Sequence, residues 1–241
     1  MDLLDRISKL AVELDWYVAF EGKSKGNRHL ERTSAIAAHL LGMEGEKCGD
    51  RFVVLAGAWL HDVGLIVGNL DHASKGKMIA NALLRCLAVE DATRERIEHC
   101  VEAHDRGVEG IGVEARTIEA KIVHDADTLD KIGPLGVLRH SWKKALELPA
   151  EQLLTHLRHH LAQRMGNLYL DSSRQLAVGY EDSLEAFFAS RETALSVLRV
   201  IGQCAKEGIP SEQVVEHLEG IAPADFLTTL REQLDLETLR R

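Results

Sequence analysis

Apolar residues recur along this chain at three- and four-residue intervals, the spacing of a helix that buries one face. Leu3, Ile7, Leu10 and Leu14 open the pattern, and Ile36, Ala37, Leu40 and Leu41 continue it. No stretch alternates long enough to predict a strand. The four prolines, Pro134, Pro149, Pro210 and Pro223, fall where helical patterns start or stop. The pattern predicts an all-α fold, a helical bundle built as a single domain.

Particular segments sharpen this reading. Asp50 is placed to N-cap RFVVLAGAWLHDVG, whose apolar crowding on every side predicts a buried helix, with Gly64 expected as a left-handed stop. The dipeptide His61-Asp62 then ends a buried helix. Asp91 is expected to cap ATRERIEHCVEAH, where Ile97, Cys100, Val101 and His104 share one face and turn His104 inward. Between Glu114 and Lys131, Ile118, Ile122 and Leu129 form a stripe, and Asp127 lies beside it. From Pro149 onward the patterns LLTHLRHHLAQRM and SLEAFFASRETALSVLRVI predict further helices, with a turn at Gly208-Ile209-Pro210-Ser211 before two short terminal ones. The expected organisation is an N-terminal helix over residues 1–24 packed on the core, a core over 25–145, and a helical extension of the same domain over 146–241.

Composition narrows the function classes. With 241 residues, 45% apolar and 28% charged, the chain can bury a sizeable core and lacks the marks of disorder. Cys48, Cys86, Cys100 and Cys204 lie far apart, which predicts reduced core thiols and neither a disulfide framework nor a zinc knuckle. No signal sequence or membrane span is expected, because charged Asp2, Asp5 and Arg6 interrupt the N-terminus and no window approaches ~18 consecutive apolar residues. The expectation is a cytoplasmic protein with no membrane partner. A net charge of -9 argues against nucleic-acid polymers as partners and leaves room for a small phosphorylated ligand held through a cation.

The chemistry concentrates in three separated places: His29, the pair His61-Asp62, and Asp127 in HDADTLDKIG. Two imidazoles and two carboxylates make a mixed nitrogen and oxygen set suited to Mn, Fe, Zn or Ni, with no all-oxygen calcium cage. With 12 histidines and 15 aspartates, chance gives about 0.75 His-Asp dipeptides, so the three present are individually weak motifs. Of His61-Asp62, His104-Asp105 and His124-Asp125, only the first leaves a strongly apolar helix into a glycine turn. Against a metal role stand ordinary alternatives: a helix-start histidine at 29, hydrogen-bonded core histidines at 72 and 104, and an exposed or Asp127-orienting histidine at 124. The cluster His156, His159 and His160 has no carboxylates at helical spacing and reads as a solvated face.

Taken together, NRHLERTSAIAAHLL, AGAWLHDVG and KIVHDADTLDKIG resemble the HD-domain phosphohydrolase superfamily over roughly residues 25 to 140, in particular its small stand-alone members. The resemblance implies an all-α fold in which His29, His61, Asp62 and Asp127 bind a divalent metal (Mn, Fe, Ni, Zn or Mg). Asp62 would bridge to a second ion where one is present, with His72 and His104 serving that ion. It selects Asp127 over Asp125 and Asp130. Many relatives carry lysine just after the His-Asp-x-Gly turn, where this chain has Leu65, so no role for that lysine carries over.

The implied activity is cleavage of a phosphomonoester or pyrophosphate bond in a small phosphorylated metabolite, a nucleotide being the leading choice, by a metal-activated water. Asp62, His72 and His104 are the catalytic candidates, and Asp105 is a further proton carrier. Arg139, Arg106 and Lys131, with Lys75 and Lys77 behind them, are the candidates for holding phosphate, Arg139 because a similar arginine follows the LDxIG stretch in relatives. Two other readings stay open: a di-iron oxygenase on the same scaffold, and a regulatory module whose metal only stabilises the fold. Cyclic dinucleotide cleavage is disfavoured because the GYP-type extension is missing. A homodimer is left open beside a monomer.

Overall fold

The computed structural model describes residues 2–15, 26–45, 48–105 and 112–235. Residues 16–24 of the expected N-terminal helix, and the candidate Arg106, lie outside them. Among the described residues there are twelve α-helices and no strand, so the fold is all-α. No single described helix is long and apolar enough to cross a membrane.

Two compact units divide the chain between Asp127 and Thr128. The boundary expected from sequence, 145/146, lies later in the chain. The earlier division follows from Leu135, Val137 and Leu138, whose apolar side chains join the core built by the C-terminal helices.

The first unit holds α1 (Leu3–Glu13), α2 (Gly26–Glu44), α3 (Arg51–Leu60), α4 (His72–Cys86), α5 (Asp91–Ala103) and the greater part of α6 (Ile118–Leu129). Its centre is α3, where seven of ten residues are buried, and α1, α2 and α5 pack around it. Asp50 caps α3 as expected, its carboxylate accepting from the amides of Phe52 and Val53 at 2.9 and 3.4 Å. Asp91 does not cap α5: Glu90 occupies the cap position, and Asp91, one residue inside, pairs with Arg94 at 2.8 Å. An aspartate there still meets the positive end of the helix dipole.

Gly64 also differs from expectation. It is absent from the positive-φ residues and sits in a 3-10 turn, Val63–Val67, that follows His61-Asp62. Its smallness serves close approach instead, because a Cβ on Gly64 would lie 1.8 Å from the carbonyl oxygen of His72 and 2.7 Å from the amide nitrogen of Gly76. The first turns of α4 therefore lie directly against the chain that has just left Asp62. Gly64→Ala is expected to destabilise the fold by about 1–3 kcal/mol, because backbone must move to make room. It is also expected to weaken metal binding at His72, and urea unfolding with a metal titration of the variant checks both.

The second unit holds α7 (Gly133–Lys144), α8 (Ala150–Met165), α9 (Asp171–Ala189), α10 (Arg191–Lys206), α11 (Val214–His217) and α12 (Ala224–Leu234). Phe187 and Phe226 stack at its core with centroids 5.0 Å apart. Pro134 opens α7, while Pro149 and Pro223 stand at the caps of α8 and α12, all places where no backbone N–H is needed. Gln233 of α12 satisfies the start of α7, accepting from Leu135 N at 2.9 Å and donating to Ile132 O at 3.1 Å.

Of the four cysteines, which are all free, Cys100 and Cys204 are buried but Cys48 and Cys86 are exposed. The expectation of four core thiols holds for two. Cys48 and Cys86 lie at or beyond helix ends, where apolar spacing no longer reports burial.

Candidate metal centre

Four histidines of the first unit present the same ring nitrogen to one place. His61 ends α3 and donates from Nδ1 to the carbonyl of Ala58 at 2.7 Å. His104 ends α5 and donates from Nδ1 to the carbonyl of Val101, also at 2.7 Å. His72 Nδ1 lies 3.3 Å from the carbonyl of Asn69, and His29 Nδ1 lies 3.3 Å from Thr33 Oγ1. A proton fixed on Nδ1 leaves Nε2 as a lone-pair donor, the form in which imidazole binds metals.

The Nε2 atoms fall into two sets joined by one carboxylate. His29 and His61 Nε2 are 3.2 Å apart. Asp127 Oδ1 lies 3.2 and 3.4 Å from them, and Asp62 Oδ2 lies 3.4 and 3.5 Å from them. Donors about 2.1 Å from a shared ion, at angles between octahedral and tetrahedral, stand about 3.0–3.4 Å from one another. The other oxygen, Asp62 Oδ1, faces His72 and His104 Nε2 at 3.6 and 3.5 Å, and those two nitrogens are 3.2 Å apart.

All of these groups are buried or nearly so, and bringing carboxylates and imidazoles together without water demands positive charge among them. Burial alone opposes charge on His61, but Asp62 and Asp127 outweigh it and push its pKa up to about 10. Burial likewise opposes charge on Asp62, yet the surrounding His61, His104 and His29 hold its carboxyl well below the usual range. The donor set fits a divalent transition-metal ion at His29, His61, Asp62 and Asp127, and a second at Asp62, His72 and His104.

The other candidates meet different partners. Asp105 lies 3.7 Å from His72 Nε2 at the open side, so the second His-Asp dipeptide also ends a helix at the site, a parallel with His61-Asp62 that apolar crowding alone hid. His124 is buried, and its Nδ1 donates to the carbonyl of His104 at 2.8 Å, tying α6 to the end of α5; burial lowers its pKa. Lys77 pairs with Glu102 at 2.7 Å and Lys75 donates to the carbonyl of Leu70 at 2.8 Å. In the second unit, Arg139 is ion-paired with buried Asp130 and also donates to its carbonyl at 2.9 Å, while Lys131 is half-buried.

The sequence did not point to the Thr33 hydroxyl or to the carbonyls of Ala58 and Val101. Their signal is positional, since each lies three or four residues from its histidine on the same helix. In the histidine cluster of the second unit, His156 and His159 are exposed and His160 is half-buried. His140, unforeseen, stacks on His160 with centroids 3.9 Å apart. Burial, with cations and neighbouring imidazoles, lowers His140 to about 4 and His160 to about 3, so both rings are neutral at neutral pH.

Comparison with known proteins gives a family match and a fold likeness. Residues 27–132 match the HD domain family. Among solved structures, a Lactobacillus plantarum protein is similar with a TM-score of 0.61 and 22% identity, over 76% of this chain and 92% of its own. Bacillus subtilis YpgQ is similar with a TM-score of 0.55 and 19% identity, over 90% of this chain and 96% of its own. A further structure of YpgQ, in complex with ADP, gives a TM-score of 0.56. The comparison with curated proteins found no match. The stretch that matches the HD domain family, residues 27–132, is the one whose histidines and aspartates gather at the centre described above.

Proposed function

We propose that this protein is a metal-dependent phosphohydrolase that cleaves a phosphomonoester or pyrophosphate bond in a small phosphorylated metabolite, with a nucleotide as the leading substrate class. The observation that carries the reading is Asp62, whose two carboxylate oxygens each face a separate pair of histidine nitrogens at 3.4–3.6 Å. HD domains form a superfamily of metal-dependent phosphohydrolases. The ADP bound to Bacillus subtilis YpgQ supports a nucleotide ligand on this fold.

A bound divalent ion supplies a water of lowered pKa and a Lewis acid for phosphate oxygen. The chain's own residues do the rest. His29, His61 and Asp127 are buried and fix the rear of the site, the His61 ring held in one tautomer by the Ala58 carbonyl and the His29 ring in contact with the Thr33 hydroxyl. Exposure rises across the centre, from 0% for the His104 side chain through 10% for Asp62 and 17% for His72 to 42% for Asp105. The site therefore opens on the His72 and Asp105 side, where a phosphate enters and where Asp105, in contact with both solvent and His72, exchanges protons with the leaving group.

Metal analysis of the purified protein, coupled to a phosphate-release screen over nucleotides and sugar phosphates, tests the reading. Metal-dependent phosphate release is expected and should vanish with a chelator and return on adding the ion. Oxygen consumption with no phosphate release would transfer the protein to the oxygenase reading. A bound ion with no exchangeable water position would transfer it to the structural-metal reading.

A further inference from the structure

The chain between Asp62 and His72 spends apolar side chains on solvent. Residues 67–71 are all exposed, with Val67 at 56% and Leu70 at 77%. One exposed leucine is ordinary on a protein surface. Here two stand in the short segment joining two residues of the metal centre, which also holds two positive-φ residues. Asp71, between Leu70 and His72, has φ +52°, a left-handed conformation that residues with a Cβ rarely adopt. Gly68, between Val67 and Leu70, has φ +119°.

The half of the segment next to His72 is held by two side-chain contacts from α4. The His72 ring lies against the carbonyl of Asn69, and Lys75 Nζ donates to the carbonyl of Leu70. Leu70 and His72 are two peptide units apart, so their Cα atoms lie within about 7.6 Å. His72 and Asp105 mark the more exposed side of the centre, and Leu70 is two residues from His72 in the chain. Strain kept at a site edge is a pointer to a role there.

We propose that Val67 and Leu70 form an apolar rim that seats a planar or hydrocarbon part of the substrate next to the phosphate held at the metal centre; this rests on the phosphohydrolase reading. Substrates of the protein then carry such a group close to the scissile phosphate, as a nucleotide or an aryl phosphate does, and bare sugar phosphates and inorganic pyrophosphate are poor ones.

The test uses the metal-loaded full chain and two phosphonates of the same charge that cannot be hydrolysed. Phenylphosphonate is expected to bind about tenfold more tightly than methylphosphonate, the effect of partly covering a phenyl ring. Leu70→Ser combined with Val67→Ser should shrink that preference to within about twofold and leave methylphosphonate binding unchanged, since both residues are exposed and their replacement disturbs no core. Equal binding of the two phosphonates by the wild type, or full preference retained by the double variant, overturns the rim. A double variant whose oligomeric mass changes while the preference stays makes the patch a contact between copies and overturns it as well. Failure of the loaded wild type to bind either phosphonate counts against the phosphohydrolase reading itself.

Discussion

Asp62→Ala is expected to leave the protein without bound metal at either position and to lower kcat/KM by more than about 100-fold, beyond what loss of a partner behind a metal ligand costs. Helix content should stay near that of the wild type. The reason is that one carboxylate serves both donor sets, so its removal takes charge from each while the helices that carry the histidines keep their own cores. Asp127→Ala should lose the ion at His29 and His61 yet retain weak binding at His72 and His104, because Asp127 Oδ1 faces the first pair. Asp125→Asn should keep both. Elemental analysis of the three variants, with circular dichroism and phosphate release, separates these outcomes. Full metal occupancy in Asp62→Ala would remove the proposed site.

Metal uptake is expected to release about one proton, and the metal Kd to fall about tenfold for each unit rise in pH between roughly 7 and 9. In the metal-free protein burial opposes a charged His61, but Asp62 and Asp127 prevail and its pKa stands at about 10 against an ordinary 6.5. A proton therefore occupies the place the ion takes, and the two compete. The sign for stability follows from the raised folded-state value. The protonated ring stabilises the metal-free fold fully below about pH 6.5, and that contribution shrinks as pH climbs through about 10. Metal-free protein should thus lose thermal stability from neutral to alkaline pH, while loaded protein gains relative to it. Calorimetric titrations in buffers of different ionisation enthalpy read the released proton, and melting curves with and without chelator read the stability. A metal affinity that is flat from pH 7 to 9 would rule out a proton on His61 in the empty site.

Much of this protein is written locally in its chain. The helical period, the Asp50 cap and the prolines at helix starts concern residues within a turn of one another, where sterics and hydrogen bonds act without help from distant chain. The residues His29, His61, Asp62 and Asp127 were legible for a different reason. Their local contexts form a recognisable trio, although spacing alone does not show that residues 98 positions apart in sequence meet. Some local signals carry two meanings. A glycine after a helix signals either a left-handed stop or a close backbone contact, and only α4 lying on Gly64 shows which.

The sequence by itself determined the helices, the buried character of α3 and the residue types able to hold a metal. Those depend on periodicity, capping and donor chemistry, which are properties of short stretches. Tertiary structure decided that the two oxygens of Asp62 face different histidine pairs, that His104-Asp105 joins the site, and that α7 packs with the C-terminal helices. Each of those is a distance or an exposure between segments far apart in the chain, fixed by which helix faces bury against one another, and no local pattern encodes it.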